Sequence, residues 1–183
     1  AIRENDSAQG GFIWDYVDQS VRTVRDNGDG TYDEFWGYGG DWIDTAANDD
    51  AFCGNGLLFA DHTPTPKMIE AKKVHQQVNF YAEDLAVTPD GTLSVKVVNE
   101  YEATNLDAFT ITWVLTEDGI TKLGEGTLDL STPHMYGESL TGENNETVSI
   151  AIPDTVQPKE GSDYLLTFSV KLKESTDWAE AGY

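Results

Sequence analysis

Residues 109–115 read FTITWVL. Phe109, Ile111, Trp113 and Leu115 fall on every second position, so in an extended chain all four point to one side. Working outward, the same period recurs. Upstream, Leu93, Val95 and Val97 alternate with Thr92, Ser94 and Lys96; downstream come Val148, Ile150 and Ile152, then Leu166, Phe168, Val170 and Leu172. Turn-forming triplets separate the runs: Pro89-Asp90-Gly91, Glu117-Asp118-Gly119, Glu143-Asn144-Asn145 and Glu160-Gly161-Ser162. Short alternating strands at this spacing predict a mainly β fold, with an immunoglobulin-like β-sandwich over residues 77–183.

Residues 1–76 have a different texture, mixing Gly, Trp and Asp with few regular periods. Gly11-Phe12-Ile13-Trp14 follows a glycine and reads as a short buried strand. Asp26-Asn27-Gly28-Asp29-Gly30 resembles a hairpin turn, where Asn-Gly supplies positive φ. It does not fit a calcium loop: with Gly30 sixth, Arg25 stands first and Trp36 twelfth, and neither ligates. A helix is predicted from Thr65 to about Gln76, with Thr65 as cap, Pro66 in the first turn, Glu70 spaced to pair with Lys73, and Met68, Ala71 and Val74 as its apolar side.

The chain has 183 residues and 39% hydrophobic residues, enough for a packed core. No run is long and apolar enough to span a bilayer. The first residues, AIRENDSAQGG, show no charged-then-apolar signal pattern and begin without Met, which suggests a piece of something longer. Net charge is −22. That argues against nucleic acid and anionic membrane as partners, since both require Lys and Arg. The excess is spread out: 14 acids against 6 bases in residues 1–75, and 19 against 5 in residues 76–183. Solubility in a salty or extracellular setting therefore explains it better than one acidic patch. A single cysteine, Cys53, excludes an internal disulfide.

Candidate chemistry gathers in residues 48–66, NDDAFCGNGLLFADHTPTP. Cys53 lacks a base at any suggestive spacing, because His62, His75 and His134 are scattered; it reads as a packing thiol rather than a nucleophile or zinc ligand. Carboxylate pairs exist at Asp15/Asp18, Asp41/Asp44 and Asp49/Asp50. With 33 acids in the chain such pairs arise by chance, and they read as solvated or capping groups. Trp14, Trp36, Tyr38 and Trp42 lie among glycines, where aromatic faces could stack on the C–H side of a sugar ring. A core cluster under long loops explains them equally well.

Three stretches carry a resemblance. GGFIWDYVDQS at 10–20, YGGDWIDTAANDDAFCGNGLLFADHTPTP at 38–66 and EAKKVHQQV at 70–78 closely resemble, in order and spacing, the end of the catalytic barrel of large bacterial β-galactosidases of glycoside hydrolase family 2. The alternating part is similar to the sandwich that follows the barrel there, and STDWAEAGY at 175–183 resembles the segment leading to the next β domain. The resemblance implies the last βα unit of an incomplete (β/α)8 barrel over residues 1–76, with Gly10–Asp15 as the eighth strand and Thr65–Gln76 as the eighth helix. The 48–66 loop would then lie at the catalytic end of the barrel.

The family cleaves terminal β-galactosides with retention, using two glutamates. Both are expected upstream of this chain, which therefore holds no catalytic residue. The resemblance further implies that Trp14 lines the galactose subsite. The Phe52 carbonyl and the Asn55 side chain would ligate a sodium ion that touches galactose, and Asn48 would lie near a magnesium ion. Magnesium and sodium belong to the parent, and the fragment is expected to hold neither tightly. Asp50 and His62 stand where arginines are common and Gly54 replaces a bulkier residue, which bears on fine substrate preference. Implied partners are the β-galactoside substrate and the upstream barrel and downstream β domain of the same polypeptide.

With its neighbours absent, the 10–60 region is expected to be covered by a second copy, giving a homo-oligomer, or by packing on the sandwich. From another class comes the alternative of an independent carbohydrate-binding or interaction module. It requires an aromatic platform in residues 76–183, where Trp113 suits the core and Tyr136 and Trp178 are the loop candidates. A sister activity, β-glucuronidase or β-mannosidase, is disfavoured by the 48–66 match.

Overall fold

The computed structural model describes residues 7–42, 53–82, 91–134 and 144–183. The chain divides into two compact units, Ala1–His75 and Gln76–Tyr183.

The second unit is the sandwich the alternation predicts. One sheet pairs β3 (Val78–Tyr81), β4 (Thr92–Asn99) and β7 (Asn145–Ala151); the other pairs β6 (Thr121–Leu128), β5 (Phe109–Glu117) and β8 (Tyr164–Leu172), all antiparallel. The apolar rows face inward, where Val97, Leu106, Phe109 and Ile111 pack in one cluster and Leu93, Val95, Trp113, Leu115 and Ile150 in another. Phe80 of one sheet stacks on Phe168 of the other, with ring centroids 4.1 Å apart. Of the four turn signals, Asp118-Gly119 has positive φ at both residues and joins β5 to β6. Pro89, Asp90 and Glu143 lie outside the described residues.

One strand and one buried polar residue carry little sequence signal. In β6, TKLGEGTL, the glycines take the place of core residues. Trp113 lies across Gly126, where an added Cβ would come within 2.7 Å of its Nε1. The slot for the largest core side chain is thus made by deleting a side chain opposite it. At the end of β4, Asn99 is fully buried yet bonded throughout. Its amide nitrogen reaches the carbonyls of Thr104, Thr132 and Pro133, and its oxygen accepts the Tyr101 amide. This one side chain ties two loops to the sheet.

The first unit holds a hairpin of β1 (Val21–Asp26) and β2 (Tyr32–Gly37). The turn falls where the glycines predict it, with positive φ at Gly28 and Gly30. Trp42 folds back over one face, its Nε1 donating to the Thr23 hydroxyl at 3.4 Å, while the Arg25 guanidinium lies over Phe35. Helix α1 (Pro66–Val74) begins with proline in its first turn, as read, and ends two residues short of Gln76. Thr65 occupies the cap position but its hydroxyl does not cap the helix. Met68 and Ala71 are half-buried, whereas Val74 is exposed.

One local expectation fails. Residues 10–16 form no strand, and Phe12, Ile13, Trp14 and Tyr16 are exposed. A parallel barrel strand depends on hydrogen-bonded neighbours on both sides. Among the described residues the only neighbour is the 56–58 segment, which bridges Val17 to Leu58 just beyond the apolar run.

Candidate functional site

Two stretches of the first unit are laced together. The Leu57 and Leu58 amides donate to the carbonyls of Asp15 and Tyr16 at 3.0 and 2.9 Å, and the Asp18 amide donates to the Leu58 carbonyl at 3.0 Å. The Asp18 carboxylate accepts the Gly56 amide at 2.6 Å. From the other side, the Thr65 amide and hydroxyl both donate to the Leu57 carbonyl, at 3.1 and 2.8 Å. That second bond is what Thr65 does instead of capping α1.

Gly56 sits at the crossing. A Cβ there would lie 2.3 Å from the Asp18 nitrogen and 2.6 Å from the Leu58 oxygen. Both obstacles are backbone, so neither can move aside without breaking the lacing. Beyond it the loop reverses at Phe59–Thr63. Asp61 accepts both the amide and the hydroxyl of Thr63, at 2.9 and 2.6 Å. These bonds, the hydroxyl first, hold the Asp61 carboxyl below its ordinary pKa.

On this frame stand the residues singled out by resemblance. Trp14 is 69% exposed, its indole open. Among the described residues, the Asn55 side-chain oxygen is buried and accepts no hydrogen bond, and the same holds for the Gln19 oxygen on the adjoining stretch. A buried acceptor left without a donor costs about 1–3 kcal/mol. An amide oxygen in that state is also a ready ligand for a hard cation, which takes oxygen donors. Phe52 and Asn48 lie outside the described residues, so the structure brings together Trp14's stretch and Asn55 and leaves the other two apart from the description.

The carboxylates behave as caps. Asp15 meets the Tyr16 amide at 2.6 Å, Asp18 holds Gly56, and Asp41 accepts the Tyr38 amide at 2.8 Å. Asp44, Asp49 and Asp50 lie outside the described residues. Cys53 is a half-buried free thiol. No group of three metal-ligating side chains occurs among the described residues. Gly56 carries a signal in its Asn-Gly step, whereas nothing in the sequence marks Gln19.

Residues 1–80 match the family described as "Glycosyl hydrolases family 2, TIM barrel domain", and residues 95–183 match "Beta-galactosidase, domain 4". Among curated relatives, the chain is 37% identical over 175 residues to a β-galactosidase of Priestia megaterium, covering 96% of this chain and 15% of the relative. It is 35% identical over 183 residues to one of Klebsiella pneumoniae and 37% over 186 to one of Alteromonas mediterranea, each time covering all of this chain and 16% of the relative. The chain thus spans about one sixth of the length of these relatives. The two matches together take in nearly the whole chain, barrel end first and sandwich domain second, and by them the chain belongs to glycoside hydrolase family 2.

Proposed function

We propose that this chain serves a retaining β-galactosidase, supplying part of the rim of its active site and the sandwich that follows the barrel. The observation that carries the reading is the Asn55 oxygen, held buried and without a donor on a loop whose backbone is fixed on both sides. An oxygen so placed is set aside for a ligand. Sodium suits it, being a hard cation satisfied by neutral amide and carbonyl oxygens. Asn55 and the Phe52 carbonyl would hold it, and Asn48 would stand near magnesium. When bound, sodium supplies positive charge beside a sugar hydroxyl.

The chain's own residues position and enclose. Trp14 offers an open aromatic wall to the flat C–H side of galactose. The lacing of 15–18 to 56–58 keeps Trp14 and Asn55 in fixed register, so both meet the same ring. Proton transfer and nucleophilic attack fall to two glutamates elsewhere in the parent polypeptide.

The purified chain should therefore leave a chromogenic β-galactoside unhydrolysed. Turnover that vanishes on substituting Asp15, Asp18 or Asp50 overturns the reading, because a carboxylate pair would then exist within the chain. In the complete polypeptide, Asn55→Ala should raise KM by roughly tenfold at low sodium, about 1.4 kcal/mol. Excess sodium should partly restore it. An unchanged KM across a sodium series removes the cation role of Asn55.

A further inference from the structure

Asn-Gly occurs twice in the chain, at 27–28 and at 55–56. The step carries a chemistry of its own. The glycine nitrogen can attack the side-chain amide carbon of the preceding asparagine, because no Cβ crowds the five-membered ring that forms. The attack requires the two residues to turn toward each other, so the fold decides which step reacts.

The fold treats the two steps differently. At 55–56 the Gly56 amide is held by the Asp18 carboxylate at 2.6 Å, and the following amide, that of Leu57, by the Asp15 carbonyl at 3.0 Å. Backbone walls in Gly56 so closely that an added Cβ would lie 2.3 Å from the Asp18 nitrogen. Turning the Asn55–Gly56 peptide breaks these bonds together. At 27–28, among the described residues, no heavy atom beyond the adjoining ones lies within 4 Å of a Cβ built on Gly28, whose φ is +76°. The Gly28 amide donates to the Asp26 carboxylate at 2.8 Å, and the Asn27 amide nitrogen donates to the Thr31 hydroxyl at 3.1 Å. Every group named here lies within residues 26–31, so the local chemistry is set by the turn itself.

We propose that Asn27 is a site of self-modification, at which the turn converts its own amide to a carboxylate, and that the lacing protects Asn55 from the same reaction. The Asp26 carboxylate acts as general base, taking the Gly28 amide proton as that nitrogen bonds to the Asn27 Cγ. The Cγ–Nδ2 bond breaks and ammonia leaves, its third proton being the one Asp26 took up. Water then opens the cyclic imide at one of its two carbonyls. Opening at Cγ gives aspartate; opening at the main-chain carbonyl gives isoaspartate, which carries the backbone through Cβ. Water enters, ammonia leaves, and nothing is oxidised or reduced.

The test holds the purified whole chain at neutral pH, native and in concentrated urea. Peptides carrying residues 27 and 55 are followed by mass spectrometry, which registers the exchange of an amide for a carboxyl. In urea both should convert at similar rates. In the native chain Asn27 should stay within about threefold of its urea rate, while Asn55 slows by about tenfold or more, because its reaction waits on local opening. Aspartate and isoaspartate, separated by chromatography, should both appear at 27. Asp26→Ala should slow Asn27 several-fold in the native chain and leave its urea rate unchanged. Equal native rates at 27 and 55 overturn the proposal, a comparison that needs no variant. So does aspartate as the sole product, since no ring then forms, and so does a native Asp26→Ala rate equal to or above that of the parent chain.

Discussion

The two units use the same bonding and reach opposite ends of burial. Each contains antiparallel strands with complete ladders. Among its described residues the sandwich buries twelve large apolar side chains, from Val78 to Leu172. Among the described residues of the first unit, only Gly37, Gly56 and Thr65 are buried, and none of these is a large apolar residue. The difference lies in what faces each ladder. β5 looks onto a second sheet, so every inward residue is covered by another, and full burial of such a side chain stabilises by about 1.5–3 kcal/mol. The β1–β2 hairpin has Trp42 on one face, and its Val24, Tyr32 and Trp36 remain exposed. Hydrogen bonds define geometry in both units, but among the described residues large apolar side chains are buried only in the sandwich, and net stabilisation comes chiefly from such burial.

The sharpest way to break this comparison is to separate the units. Residues 76–183 alone should show a cooperative thermal transition by circular dichroism, and residues 1–75 alone should show none. A cooperative transition in the smaller piece would reveal a core that burial does not account for. Within the sandwich, Ile111→Ala should cost about 2–5 kcal/mol in denaturant titration, as a fully buried aliphatic truncation does. In the first unit, Phe12→Ser should change the unfolding free energy of the chain by less than about 0.5 kcal/mol. Comparable losses at the two positions would erase the contrast.

Asn99→Ala should fall between them, at about 1–3 kcal/mol, because the carbonyls of Thr104, Thr132 and Pro133 would lose their donor.

The smallest effect concerns pH. The Lys159 ammonium donates to Glu117 at 2.9 Å, and this bond, with help from Tyr164, lowers the Glu117 carboxyl pKa. A carboxyl whose folded value is depressed adds stability above its unfolded value, near 4.3 for glutamate, and loses it as pH falls through the folded value. Glu117→Gln should therefore narrow the gap to the parent chain below about pH 4 and leave it constant above about pH 5.5. A gap that is flat across the acid range removes the ion pair from the account.

Much of the sandwich could be read in advance because its rows at 93–97, 109–115, 148–152 and 166–172 announce a buried face on every second residue. β6 could not: its message is an absence, glycine where Trp113 needs room, and only the partner strand gives that meaning. Asn99 looked like an ordinary strand end, yet its value comes from carbonyls up to 34 positions away. The opposite holds at 11–14, where GFIW has the composition of an interior strand but, among the described residues, no pair of neighbours to make it one. At the site, residue types and loop position followed from resemblance. The unpartnered state of Asn55 and Gln19, and the backbone crossing that forbids a side chain at position 56, required coordinates.

The glycine slot in β6 also gives the chain a built-in optical label. Of its five tryptophans, Trp113 is 8% exposed, while Trp14, Trp36, Trp42 and Trp178 range from 46% to 69%. Fluorescence from Trp113 should be blue-shifted and shielded from acrylamide, whereas the other four emit as solvated indoles open to quenching. Acrylamide would silence those four and leave a single chromophore at the middle of the sandwich. A red shift of that residual emission would report the parting of the two sheets, with no added dye and no signal from the first unit.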